Sequence, residues 1–176
     1  MLPTAMPVLL LFVRVAQGGP GPGVGYACGI WIAAGYLLAW GGFSVAATAM
    51  QCALETARLL SPMLQTTHHG LGAAILISAG AWQMTPIKRA CLRHCQSPLG
   101  FIVGHWRDGA TGALRMGLRH GIYCLGCCWF LMLLLFFGGV MNLYWIVGLM
   151  AYVLLEKAVV TGNWLGRATG IFLIVW

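Results

Sequence analysis

One histidine and three cysteines fall within nine residues, HGIYCLGCC, at His120, Cys124, Cys127 and Cys128. Laid on a helix, residues three and four apart share a face. Met116, His120, Cys124 and Cys127 then form one stripe, with Cys128 at its edge. The stripe carries thioether, imidazole and thiolate donors. Soft sulfur selects Cu(I), Zn or Fe–S clusters, and imidazole suits Zn and Cu. A lone buried Cys or Met is ordinarily a small hydrophobe. Three Cys and a His this close point instead to metal or redox chemistry.

A second group is CLRHC, from Cys91 to Cys95. On a helix Cys91 and Cys95 stack one above the other, with His94 close to that face. Two Cys at this spacing suit a zinc site. With Cys124 and Cys127 or Cys128 they would complete a four-sulfur site. Alternatively, the two groups are successive stations on a metal path. In a third reading, Cys124 and Cys127 form a CxxC redox pair, although no thioredoxin-like context surrounds them. The expected metal residues are therefore Cys91, Cys95, His120, Cys124, Cys127 and Cys128. His94, His105, Met84 and Met116 are secondary candidates. The expected ion is copper or zinc, with copper favoured. His68, His69 and Met63 offer a weaker outer metal-binding point.

The elements that must hold these donors are apolar. Of 176 residues, 60% are hydrophobic and only 7% charged, with mean hydropathy +0.86, against about 25% charged residues in soluble domains. The apolar stretches are continuous rather than alternating, which excludes a β-barrel. The 25 glycines suit helices that pack closely in lipid. The expected fold is an all-α polytopic transmembrane helical bundle of five to six membrane segments, forming one domain over residues 1–176. The apolar runs are Met1–Ala16, Val24–Arg58, Leu71–Pro86, His120–Val140, Leu143–Val160 and Ala168–Trp176. The first is too short to span and the last looks truncated.

Between them lies a basic Cys- and His-containing segment at residues 85–119. Pro86 either kinks the third run or starts a new helix with Thr85 as N-cap, and Ser97 and Pro98 read as a cap and first turn. Asp108 is expected to pair with Arg107, Arg115 or Arg119. The net charge of +7 concentrates in this segment, as the positive-inside rule predicts for a cytoplasmic loop. No nucleic-acid module is present, so the expected partner is the lipid bilayer. Thiols on the cytoplasmic side stay reduced, which favours metal binding over disulfides. Glu156 and Lys157, near the end of a run, are expected to snorkel or form a simple ion pair near the interface.

The stretch AWQMTPIKRACLRHCQSPLGF, continuing through HWRDGATGALRMGLRHGIYCLGCCWFLMLLLFFGGVMNLYWI to LLEK, resembles a bacterial family of uncharacterised integral membrane proteins described as predicted metal-binding. The resemblance covers Trp82 to Lys157, and its most specific motifs are GLRHGIYCLGCCW and VMNL. It implies metal handling in the bacterial inner membrane. It also implies an upstream first helix that this chain lacks, ending in a motif like MLPTAMP. The Cys and His positions that fit are Cys91, Cys95, His105, His120, Cys124, Cys127 and Cys128.

Three functions compete. The first is binding, transport or delivery of a soft metal, with a metallochaperone as a further partner. The second is an accessory subunit bound to other membrane subunits. The third is a membrane thiol oxidoreductase. The sequence carries no Ser/His/Asp set, no HExxH and no phosphate-binding loop, because GPGVG has no preceding strand. A carrier role is expected ahead of an enzyme.

Overall fold

The structure is a computed structural model that describes residues 6, 10–14, 24–58, 69–105, 107, 109–159 and 164–175. Most of the described residues are helical, with no strand among them. In chain order the helices are α1 (Val24–Thr56), α2 (His69–Met84), α3 (Pro86–Gln96), α4 (Pro98–His105), α5 (Gly109–Gly138), α6 (Leu143–Ala158) and α7 (Trp164–Val175). Residues 10–14 are also helical. His68, Met63 and Asp108 lie outside the described residues.

The helix boundaries follow local chemistry. Thr85 caps α3, its hydroxyl accepting the Lys88 N–H at 3.2 Å, and Pro86 fills the first helical position, where no N–H is needed. Ser97 precedes Pro98, and its carbonyl accepts from the Phe101 N–H at 3.0 Å. Asn142 caps α6 by accepting from the Trp145 N–H. The turn at Gly139, where φ is +91°, ends α5.

Two expectations change here. Two helices among the described residues, over Cys28–Thr56 and Gly109–Gly138, are long and apolar enough to cross a membrane, rather than five to six. The others fall short: α2 and α6 have 16 residues each and α7 has 12, against about 20 for a crossing helix. The second concerns the apolar run His120–Val140, most of which is part of a longer helix: α5 begins at Gly109, where φ is +80°. Arginines at 115 and 119 interrupt the hydropathy without interrupting the backbone.

The chain divides into two compact units, Met1–Ser44 with Cys91–Gly126 and Val45–Ala90 with Cys127–Trp176. In the first unit, Phe12, Ile32, Phe101, Ile102, Ala113 and Met116 form a buried core. Close approach of α1 and α5 depends on glycine. A Cβ at Gly117 would overlap the Ile32 carbonyl, and one at Gly35 would overlap the Leu114 carbonyl. Gly117→Ala is therefore expected to destabilise the protein by about 1–3 kcal/mol, the usual cost of overpacking. A thermal melt in detergent checks this, and an unchanged melting temperature would contradict the close helix contact. In the second unit, α2 packs along α7, with Gly80 meeting Gly170.

Candidate metal centre

The donor stripe on α5 is buried along its length. Met116 is 2% exposed, His120 4%, Cys124 1%, Cys127 2% and Cys128 1%. None of the seven cysteines is in a disulfide. The boundary between the two units falls after Gly126. Cys91, His94, Cys95, His105, Met116, His120 and Cys124 thus belong to the first unit. Met84, Cys127 and Cys128 belong to the second.

In the first unit, the α3 cysteines lie against the α5 donors. Cys95 packs on the buried pair of Tyr36 and Cys124. The Cys91 Sγ sits 2.9 Å from where a Cβ on Gly126 would be, so glycine leaves room for the thiol against the α5 backbone. The Tyr36 hydroxyl lies 3.5 Å from the Cys124 Sγ within hydrogen-bonding geometry. Tyr36 comes from α1, 88 residues away in sequence. It holds the thiol's orientation as an outer partner orients a metal ligand.

Three histidines converge on the same region through aromatic rings. His94 stacks on Tyr123 at 4.3 Å between centroids. His105 stacks on Phe101 at 4.9 Å and lies 6.3 Å from His94. His120 approaches Phe101 edge-on at 5.1 Å and Tyr36 at 6.0 Å. Of the three, sequence reasoning ranked only His120 among the main donors. The convergence of His94 and His105 depends on the turn between α3 and α4, which spacing along one helix does not display.

Among the described residues, no group of three or more His, Cys, Asp or Glu is arranged to hold a metal ion. Zinc in a structural site demands four ligands in a tetrahedron. Cu(I) is softer and accepts low-coordinate sets of thiolate, thioether and imidazole. Paired donors such as Cys95 beside Cys124 suit Cu(I) better than structural zinc.

Next to these donors is a cavity of about 300 Å³, lined by Gly104, His105, Arg107, Arg115, Met116 and Arg119.

In the second unit, sequence reasoning missed a buried polar network. Lys88 and Glu156 are 2% and 5% exposed, and they form an ion pair at 2.5 Å. Lys88 also donates to the Gln83 side-chain carbonyl. The Gln83 amide donates to the Tyr152 hydroxyl at 3.1 Å, and that hydroxyl donates to Thr169 at 2.9 Å. The network ties α2, α3, α6 and α7 together. Glu156 is therefore not a snorkelling interfacial acid, and Lys88 is not a solvated loop cation. Burial requires each to have a partner. Met84, an expected secondary donor, is 47% exposed and packs near Gly170.

No curated protein and no solved structure matches the chain. A family model does match, that of PpoB2, described as a copper chaperone, and it covers residues 1–176. With soft donors buried on α5 and a match over the whole chain, the protein belongs to the PpoB2 copper chaperone family.

Proposed function

We propose that this protein is a membrane-embedded copper chaperone that holds Cu(I) in its first unit between the paired thiols Cys95 and Cys124, with His120, Cys91 and Met116 as exchange ligands. The observation that carries this reading is the packing of Cys95 against Cys124 and Tyr36, on a helix face that also buries His120 and Met116. Water exclusion protects Cu(I) and thiols from oxidation. Low-coordinate soft donors hold the ion while leaving a position open for an incoming thiolate. Release then proceeds by ligand exchange, with copper remaining Cu(I) throughout. Cys127 and Cys128 belong to the second unit and are not part of this set.

The membrane part of the proposal rests on α1 and α5. Their most apolar windows have mean hydropathies of 1.5 and 2.1, yet only 22% and 39% of those windows is buried. Apolar side chains exposed at that density suit lipid better than water. The proposed location is the bacterial inner membrane, with the basic segment on the cytoplasmic side, where Cu(I) and reduced thiols coexist. A thiol oxidoreductase role has less support. Reactive cysteines sit in partially exposed, electropositive surroundings, whereas Cys124 and Cys127 are 1% and 2% exposed.

The test is copper retention. Protein purified in detergent under reducing conditions, loaded with Cu(I) and desalted, is expected to hold near-stoichiometric copper against a chromophoric Cu(I) chelator. Loss of all copper on desalting would overturn the reading. Carbonate extraction checks the location, since protein released into the supernatant would contradict membrane insertion.

A further inference from the structure

The cavity beside the donors has an unexpected charge for a cation-binding protein. Arg107, Arg115 and Arg119 line it together with His105 and Met116. Arg115 and Arg119 are one helical turn apart on α5, so both project toward the same side. All three arginines are exposed, whereas Met116 is buried. The chain contains only three acids, Glu55, Asp108 and Glu156. Glu156 is engaged by Lys88, and Glu55 accepts from Gln51 at 2.9 Å. Asp108 alone can compensate one guanidinium, which leaves a net positive port. A bare Cu(I) ion approaching it is repelled.

The cavity's size points the same way. About 300 Å³ is the lower end of the range for small-molecule pockets, roughly 300–1,000 Å³, and far exceeds what one ion needs. Its wall also carries two groups that copper binds, the His105 imidazole and the Met116 thioether. A site built only for phosphate would use the arginines and have no need of the thioether.

We propose that this cavity is the port through which copper enters as an anionic thiolate complex of a small molecule. The inference rests on the copper reading above and adds the form of the cargo. The guanidiniums bind the carrier's carboxylates, bidentately where geometry allows. Met116 and His105 meet the metal. A Cu–S bond to the carrier breaks as a Cu–S bond to a protein cysteine forms. Copper stays Cu(I), and the proton of the protein thiol passes to the departing carrier thiolate. The donors inward of the port are graded. His105 lies 6.3 Å from His94, both rings stand around Phe101 and Tyr123, and His120 and Cys124 flank Tyr36 beyond them.

Rates of Cu(I) loading from two donors test the port. One donor is the anionic Cu(I)–glutathione complex, and the other is the cationic Cu(I)–acetonitrile complex. R115Q/R119Q is expected to slow loading from glutathione at least tenfold, with loading from acetonitrile and the final copper stoichiometry unchanged. R115K/R119K, which keeps the charge, is expected to recover most of the glutathione rate, separating loss of charge from loss of fold. Added salt is expected to slow the parent on the glutathione route and to leave R115Q/R119Q nearly unaffected. Equal glutathione rates in parent and R115Q/R119Q would overturn the port while leaving the copper reading intact. So would a parent that loads from acetonitrile but not from glutathione. A parent that takes copper from neither donor would overturn both.

Discussion

Glu156→Gln is expected to destabilise the protein by about 3–5 kcal/mol, the usual cost of leaving one partner of a buried ion pair without its counterion. Lys88 is only 2% exposed, and it would face only neutral amide carbonyls, that of Gln83 and that of the introduced glutamine, with no counterion. A buried ammonium without its counterion in a poorly solvating site costs folding free energy. The loss should spread across the second unit, because the network joins α2, α3, α6 and α7 through Gln83, Lys88, Tyr152, Glu156 and Thr169. The double variant K88M/E156L is expected to recover much of the loss, since well-packed apolar residues commonly replace a buried pair at little cost. Thermal unfolding in detergent of the parent, the single variant and the double variant reads both effects. A single variant as stable as the parent would mean that the pair is solvated.

Cys124→Ser is expected to weaken Cu(I) binding by more than the roughly 10–100-fold that changes to outer-shell partners cost, because it removes a metal donor directly. A hydroxyl is a hard, neutral ligand and a poor match for Cu(I). The fold should tolerate the change. Serine is close to cysteine in size, and the Tyr36 hydroxyl, 3.5 Å from the sulfur, can satisfy the new hydroxyl. Cys52→Ser provides the control, since Cys52 is an exposed thiol remote in sequence from both cysteine groups. Competition titration against a chromophoric Cu(I) chelator compares the variants. Equal affinity in Cys124→Ser and the parent would remove Cys124 from the site.

Features that depend on a few adjacent residues were readable from the sequence. Ser97–Pro98 is legible as a helix start because a cap and a proline act within one turn, and of the two readings open at Pro86, a kink or a start capped by Thr85, the structure takes the start. The shared helical face of Met116, His120 and Cys124 followed from spacing alone, and α5 is helical through all of them. The apolar run from His120 marks only the apolar part of α5, which begins at Gly109. Hydropathy falls at Arg115 and Arg119, but polar residues do not end a helix, and the positive φ at Gly109 is a backbone property that hydropathy does not report.

Features that depend on tertiary contact were not readable. Lys88 and Glu156 are 68 residues apart, and each has an ordinary local explanation as a loop cation or an interfacial acid. Only packing shows that both are buried. Tyr36 looked like one more aromatic residue in an apolar run until Cys124 was placed against it. His94 and His105 lie on different helices, and only the turn at Ser97 brings them to the same aromatic cluster. Apolar runs do not report helix length: among the described residues α1 and α5 alone are long and apolar enough to cross, and α2, α6 and α7 have 16, 16 and 12 described residues.

Copper-edge X-ray absorption on the Cu(I)-loaded protein, in the parent and in Cys124→Ser, is the most direct measurement of the central claim. The account predicts a low-coordinate Cu(I) site dominated by sulfur scattering, losing sulfur scattering when Cys124 is replaced. A spectrum with only nitrogen and oxygen neighbours, or one unchanged in Cys124→Ser, would contradict it.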